Sequence, residues 1–180
     1  MRLSKKNMDD CIIKAVRKVA NRVAKDKYLL SMESDFMVML YNELVRDRRI
    51  SELAINTEHH IVKSDYIDMI IYDKNKRFFT GKLHNGLIPI VNVNKMKAII
   101  ELKIGWARTG TNKKNAFIED IKKRKSFRKK VDRMYFIMME ICGKDNFEKN
   151  NLCDLKDNDK KIVLIYSNPI IKPNKFFICK

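Results

Sequence analysis

The sequence lacks any apolar run long enough to cross a membrane. Its longest apolar runs, such as 135–139 and 162–166, have the length of strands, whereas a spanning helix needs about 20 residues. The basic start of the chain is typical of a signal peptide, but charged residues such as Asp9 and Lys14 interrupt the apolar stretch that should follow. These absences predict a cytoplasmic protein with no membrane partner.

The sequence also lacks a close pair of cysteines. Its four cysteines stand far apart, at positions 11, 142, 153 and 179, whereas zinc sites use pairs separated by about two to four residues. A cytosolic domain of this size does not need disulfides for its stability. We therefore expect reduced thiols and no zinc site.

Acidic residues are scarce relative to basic ones. The 180 residues include 39 Lys and Arg but only 22 Asp and Glu, which gives a formal net charge of +17. Such an excess is larger than solubility requires, and it attracts phosphate-rich polymers through charge neutralisation and counterion release. Nucleic acid is therefore the expected partner.

The sequence contains no internal repeat and no low-complexity linker, so its length predicts one domain over residues 1–180. Helical spacing of apolar residues predicts helices over about 8–26, 34–48 and 115–133, and strand-like runs cover 53–62, 65–72, 98–104, 134–142 and 161–167. The segment 73–97 contains a candidate hairpin and is an insertion or a substrate-contacting loop, and 143–160 is predicted to be a polar loop.

Charged side chains within two of these apolar runs are the main candidates for chemistry. Glu101 and Lys103 lie two positions apart in 98–104, so they share one face of a strand while alternate residues point into a core. Asp68 occupies a similar place in 65–72. A solvated strand face would show the same spacing. Two carboxylates and an ammonium on neighbouring strands, however, match what a divalent cation and an activated water require.

Glu43 is a further candidate carboxylate. It falls on the buried side of the predicted helix 34–48, between Leu40 and Leu44. A carboxylate there is either the partner of a nearby Arg or a member of the same acidic site. The sequence leaves both interpretations open.

Two basic segments are the candidates for contact with phosphates. The loop after 98–104 holds the single tryptophan, which either stacks on a base or anchors a core. The predicted helix 115–133 has the highest density of positive charge in the chain. The residues that these segments offer for nucleic-acid binding are Trp106, Arg108, Lys113, Lys114, Lys122, Lys123 and Arg124.

The order of these features resembles that of the PD-(D/E)xK nuclease superfamily. A helix is followed by a strand, a strand with Asp68, a strand with Glu101-x-Lys103, a helix and a strand, over about 34–167. The resemblance implies an α/β fold with a restriction-endonuclease-like mixed central β-sheet flanked by helices. Residues 34–167 would form the nuclease core, and residues 1–33 an N-terminal helical extension.

The resemblance also implies a metal cofactor. Asp68 and Glu101 would be ligands of Mg²⁺, which Mn²⁺ can replace, and the Leu102 carbonyl would complete the shell. Lys103 would position or deprotonate the attacking water.

Two further acids have counterparts in the family. Glu43 matches the helix glutamate that many members place at the edge of the site, and Asp120 resembles a recurrent acidic position in the helix after the Glu-x-Lys strand. Two features depart from the family pattern. The interval between Asp68 and Glu101 requires an insertion, and Ile67 stands where a proline is usual.

We therefore expect a magnesium-dependent nuclease that hydrolyses phosphodiester bonds, with DNA as the substrate of an endonuclease. Two alternatives stay open: a noncatalytic nucleic-acid-binding protein on the same scaffold, and an RNA-processing nuclease. Cutting both strands of a duplex would call for a homodimer, because one site serves one strand.

Overall fold

The fold is built around a mixed β-sheet. The computed structural model describes residues 4–26, 29–50, 53–62, 65–73, 79–83, 86–90, 96–105, 110–141, 148–156, 159–171 and 175–180. Its helices are α1 (Lys5–Lys25), α2 (Glu33–Val45), α3 (Gly110–Arg124) and α4 (Lys149–Asp154). Its strands are β1 (Leu53–Val62), β2 (Asp65–Asp73), β3 (Phe79–Leu83), β4 (Gly86–Ile90), β5 (Met96–Gly105), β6 (Arg133–Glu140), β7 (Ile162–Asn168) and β8 (Lys175–Cys179).

Six strands form the central sheet in the order β1-β2-β5-β6-β7-β8. β5, β6 and β7 run parallel to one another, whereas β1 with β2, β2 with β5, and β7 with β8 pair antiparallel. β5 is therefore a strand at which the pairing changes direction. β3 and β4 form a separate antiparallel hairpin inside the segment 73–97.

Helices cover both faces of the sheet, and each face has its own apolar core. The core beneath α1 and α2 includes Ile100, Leu102, Ile104, Ile137 and Ile165. The core beneath α3 includes Ile99, Phe117, Ile121, Phe136 and Leu164. Because the central strands are buried on both faces, charged side chains in the middle of β5 lie among apolar groups.

A buried carboxylate ties α1 to β6. Asp9 accepts hydrogen bonds from the Tyr135 hydroxyl at 2.7 Å and from the Arg133 guanidinium at 2.9 Å. Asp9 is 2% exposed, so these two donors replace the water that its carboxylate loses on burial. α1 therefore packs on the central sheet as well as against α2.

The third helix ends earlier than its sequence pattern predicts. The pattern extends to about residue 133, but α3 ends at Arg124 and a short 3₁₀ helix follows at Lys125–Phe127. Ser126 donates a hydrogen bond from its hydroxyl to the Lys123 carbonyl at 3.1 Å. This side chain competes with the helical backbone hydrogen bonds and helps the chain to turn toward β6.

Two short elements, α4 and β8, were not predicted. α4 lies inside the segment 143–160 that the sequence predicted as a loop, and it buries Leu152 in the core beneath α3. β8 pairs antiparallel with β7, and its Phe177 stacks on Tyr166 with ring centroids 5.8 Å apart. Both elements are too short to produce a clear periodic pattern.

The expectation of reduced thiols is wrong for one pair of cysteines. Cys153 of α4 and Cys179 of β8 form a disulfide, with their Cα atoms 5.2 Å apart. They stand 26 positions apart in sequence, and the fold brings them together because α4 packs against β8. Cys11 is a buried free thiol, as expected, and Cys142 lies outside the described residues.

Within the described ranges, no helix is both long enough and apolar enough to cross a membrane.

Candidate active site

Glu101 and Lys103 share one face of β5, the face that α3 covers. Their neighbours Ile100, Leu102 and Ile104 point to the opposite face, into the core beneath α1 and α2. Glu101 is buried and Lys103 is half-buried. The alternation predicted from sequence is present, but the charged face lies under a helix rather than in solvent.

Asp68 reaches β5 where the pairing between β2 and β5 stops. The last backbone pair on this side joins Met69 to Ile100, and one further step of the same register sets Asp68 opposite Glu101. There the Asp68 carboxylate accepts a hydrogen bond from the backbone N–H of Leu102 at 2.6 Å. The structure thus brings Asp68, Glu101, Leu102 and Lys103 together.

The pKa values of the Asp68 and Glu101 carboxyl groups are both raised. Burial, followed by the negative charge of Asp68, raises the pKa of Glu101 to about 8, although the Arg124 guanidinium opposes the shift. Burial also raises the pKa of Asp68, against the effect of the Leu102 N–H. Each carboxylate would therefore gain from a further positive charge nearby.

Glu101 forms an ion pair with Arg124 of α3. The contact joins Arg124 Nε to Glu101 Oε1. Glu101 is 4% exposed and Arg124 is 2% exposed. Arg124, which the sequence placed on an outer phosphate-binding face, therefore lies inside the protein against the Glu-x-Lys strand.

Lys103 lies between two carboxylates. Its ammonium is 3.0 Å from Asp120 Oδ2 of α3 and 3.5 Å from Glu33 Oε2 at the start of α2. Burial alone would lower the pKa of Lys103, but the charge and hydrogen bond of Asp120, with the charges of Glu33 and Asp68, together outweigh burial and raise it. The geometry thus includes Asp120 in the cluster and adds Glu33, which sequence reasoning missed.

Glu43 lies away from this cluster. It follows Glu33 by ten positions on α2, which is about 15 Å along the helix axis at about 1.5 Å per residue. Its carboxylate accepts hydrogen bonds from Lys18 at 2.9 Å and Arg22 at 3.4 Å and forms an ion pair with Arg46 at 3.6 Å. Of the two interpretations left open, the structure shows the ion-paired one, and α2 contributes Glu33 to the cluster instead.

Glu33 gave little signal in the sequence because it lies in the first turn of α2. Acidic residues in that position are commonly explained by the helix dipole alone. The predicted helix also began one residue later, so Glu33 fell outside it.

The other predicted nucleic-acid contacts fall into three groups. Lys122 and Lys123 are exposed on α3, and Lys122 pairs with Glu119 at 2.9 Å. Lys113 and Lys114 belong to α3, but their side chains are not described. Trp106 and Arg108 lie outside the described residues.

The strand end beyond Lys103 is closely packed. Gly105 is opposite Glu140 in the parallel pairing of β5 and β6, and Glu140 is fully buried. A Cβ atom at position 105 would collide with the Glu140 carboxylate. A side chain at position 105 would therefore require the Glu140 carboxylate to move.

The charges of the cluster suit a divalent cation. Its members, with all groups ionised, are four carboxylates and two cations: Asp68, Glu101, Glu33, Asp120, Lys103 and Arg124. Full ionisation would give a net charge of about −2, and a bound cation would favour that state, because the raised pKa of Glu101, about 8, keeps this carboxyl largely protonated at neutral pH. No group of three or more His, Cys, Asp or Glu in the described ranges is arranged to hold a metal ion. Two carboxylates with water in the remaining positions nevertheless match the ligands of Mg²⁺.

No protein-family model and no curated protein sequence matches the chain. Among solved structures, the chain is similar to NucC of E. coli MS115-1 in its cAAA-bound form, with 10% sequence identity and a TM-score of 0.52, over 92% of this chain and 76% of that chain. NucC of P. aeruginosa ATCC27853, also in a cAAA-bound form, has 11% identity and a TM-score of 0.49, over 92% of this chain and 77% of that chain. The first similarity confirms the predicted fold class, an α/β fold with a restriction-endonuclease-like mixed sheet flanked by helices.

Proposed function

We propose that this protein is a magnesium-dependent nuclease that hydrolyses phosphodiester bonds, with DNA as its substrate. The observation that carries the proposal is the meeting of Asp68 on β2 with the Glu101-x-Lys103 strand, through the 2.6 Å hydrogen bond from Leu102 N–H to Asp68. The fold similarity and the net charge of +17 support a nucleic-acid substrate. A double-strand break would require a homodimer, because one site serves one strand.

In this proposal, the carboxylates of Asp68 and Glu101 and the carbonyl of Leu102 hold the metal ion, either Mg²⁺ or Mn²⁺. When bound, such an ion neutralises charge on the scissile phosphate and lowers the pKa of a coordinated water. Asp68 and Glu101 suit this role because they lie close together with raised pKa values, and a cation would relieve their mutual repulsion.

Lys103 would orient the attacking water or a phosphate oxygen. Its ammonium is held by Asp120 at 3.0 Å and Glu33 at 3.5 Å, so it has a fixed position and a stable positive charge. A fixed hydrogen-bond donor contributes to phosphoryl transfer by positioning and by stabilising negative charge. This arrangement favours orientation over deprotonation, the two roles that the sequence left open for Lys103.

A noncatalytic DNA-binding protein is the second candidate, and one observation favours it. Glu101 pairs with Arg124, and Lys103 pairs with Asp120 and Glu33, so the chain itself supplies partners for both charged residues of the strand. With such pairing, the cluster could have a purely structural role.

Cleavage of supercoiled plasmid separates the two candidates. The wild-type protein should convert plasmid to nicked or linear forms with Mg²⁺ and not with chelator. Glu101→Gln and Lys103→Ala should cut at least about 100-fold more slowly, as expected for the loss of a catalytic group. The same assay with single-stranded RNA tests the RNA-processing alternative.

Lys97→Ala is the matched control for Lys103→Ala. Lys97 lies on the same strand, its side chain is 16% exposed against 17% for Lys103, and it too contacts two carboxylates, Asp73 at 3.7 Å and Asp132 at 3.8 Å. This variant should keep most of the cleavage activity. DNA binding without cleavage by the wild type, with Mg²⁺ or Mn²⁺, would favour the noncatalytic protein. Unchanged cleavage by Glu101→Gln would refute the ligand assignment.

A further inference from the structure

We propose that Arg124 is a positioning residue of the candidate active site, which fixes the Glu101 carboxylate by one of its two oxygens. The inference rests on the proposed function, because it assigns to Glu101 the role of a metal ligand. It starts from the ion pair between Arg124 Nε and Glu101 Oε1. Arg124 would act through Glu101 and would not itself touch the substrate.

The spacing of charges on α3 matches the spacing on β5. Asp120 and Arg124 lie four residues apart on the helix, which is about 6 Å along its axis. Glu101 and Lys103 lie two residues apart on the strand, which is about 6.6 Å. Both ion pairs can therefore form at once, and they do so with α3 running opposite to β5.

Arg124 is buried, and it packs against Phe127 as well as Glu101. It is 2% exposed, whereas its neighbours Lys122 and Lys123 on α3 are exposed to solvent. The ring of Phe127 lies beneath its guanidinium, with the ring centroid 5.9 Å from Cζ. A buried guanidinium in such a position restrains the carboxylate oxygen that it binds.

A fixed carboxylate is what a small cation requires. Mg²⁺ and Mn²⁺ bind best when ligand oxygens already stand near octahedral positions, and groups that orient the ligands change metal affinity by about 10- to 100-fold. With Oε1 engaged by Arg124, the other oxygen of Glu101 is the one assigned to the metal. Charge alone predicts the opposite effect, since a buried cation beside Glu101 repels a metal ion.

Mn²⁺ binding to the protein without DNA distinguishes these two roles. Free hydrated Mn²⁺ is counted by electron paramagnetic resonance while each variant is titrated. Arg124→Gln should bind Mn²⁺ at least about tenfold more weakly than the wild type. Arg124→Lys keeps the charge but loses the planar geometry, and its affinity should fall between the two. Lys129→Gln, which removes one exposed charge shortly after the same helix, should bind like the wild type.

Equal or tighter Mn²⁺ binding by Arg124→Gln would overturn the positioning role. If thermal unfolding shows that Arg124→Gln does not fold, Arg124→Lys takes its place, and wild-type affinity in that variant would overturn the inference. Failure of the wild type itself to bind Mn²⁺ would instead reject the ligand set of the proposed function.

Discussion

Two buried carboxylates in this chain differ in the direction of their pKa shifts, because the fold gives them different partners. Both Glu43 and Glu101 lose contact with water. A hydrogen bond from Lys18 lowers the pKa of Glu43 in spite of burial, and Arg46 and Arg22 add to the effect. Burial and the nearby Asp68 raise the pKa of Glu101 to about 8 in spite of Arg124. The balance of charge around each group therefore decides whether its pKa is lowered, as for Glu43, or raised, as for Glu101.

Glu43→Gln should destabilise the protein at neutral pH by about 1–2 kcal/mol, the typical value for hydrogen bonds to a charged group with partly exposed partners. The folded pKa of Glu43 lies below its unfolded value of about 4.3. Its stabilisation is therefore fully present above that value and disappears as the pH falls through the folded pKa. Urea denaturation of both proteins at pH values from about 7 down to about 2.5 measures this.

Glu119→Gln is the control for Glu43→Gln. Glu119 pairs with Lys122 on the exposed surface of α3, where both side chains are more than half exposed. Its substitution should change the free energy of unfolding by less than about 1 kcal/mol. A difference between Glu43→Gln and wild type that stays constant with pH would contradict the ion-pair explanation.

The sequence predicted part of the cluster because a charge inside an apolar strand stands out. Asp68, Glu101 and Lys103 share that signature, and the fold brings them together. Arg124 was placed on the outer face because it lies in a run of basic residues. Its inward direction depends on where α3 packs on β5, and single-sequence periodicity does not report that packing.

At the scale of elements, the helices and strands that were predicted are those whose apolar residues follow a clear local pattern. β5, β6 and β7 are buried on both faces, so their sequences are apolar almost throughout and easy to recognise. α4 and β8 depend on tertiary contacts, namely the pairing of β8 with β7 and the Cys153–Cys179 disulfide. Neither contact leaves a local pattern in the sequence.

Reduction of the disulfide should destabilise the protein. Cys153 and Cys179 close a loop with a sequence separation of 26, and the loss of such a closure lowers the free energy of unfolding by about 3–4 kcal/mol on chain-entropy grounds. Urea denaturation with and without dithiothreitol measures the change. Cys153→Ser serves as the control, because reductant should no longer affect it. Identical curves for the wild type under both conditions would argue against the bond.

At the scale of the whole molecule, the net charge of the chain is positive, whereas carboxylates outnumber cations in the cluster around Glu101. The chain carries a net charge of +17, while the cluster around Glu101 sums to about −2 with all its groups ionised. Excess positive charge attracts a polyanion over long distances. The cluster becomes negative only when Glu101, with its pKa raised to about 8, loses its proton, and under the proposed function a cation would favour that loss. Under the proposed function, the two properties would together bring phosphate to the metal site.

Removal of Lys122 and Lys123 should weaken the salt dependence of DNA binding. If both contact phosphates, the Lys122→Gln/Lys123→Gln variant should reduce the slope of log K against log salt by about 1–2. Fluorescence anisotropy with labelled duplex at several salt concentrations gives the slope, in a Glu101→Gln background that prevents cleavage.

A control for that experiment removes the same charge elsewhere. Lys14→Gln/Lys25→Gln neutralises two exposed residues of α1, which packs on the opposite face of the sheet from α3. For this variant, the slope of log K against log salt should stay close to that of the parent protein. Equal losses in the two double variants would mean that total charge, and not the α3 surface, governs binding.

Gly105 limits how this protein could be re-engineered. Glu140 is fully buried and fills the space that a side chain at position 105 would need. Any larger residue at position 105 would therefore have to displace the Glu140 carboxylate, so randomised libraries around Lys103 gain by keeping that position constant.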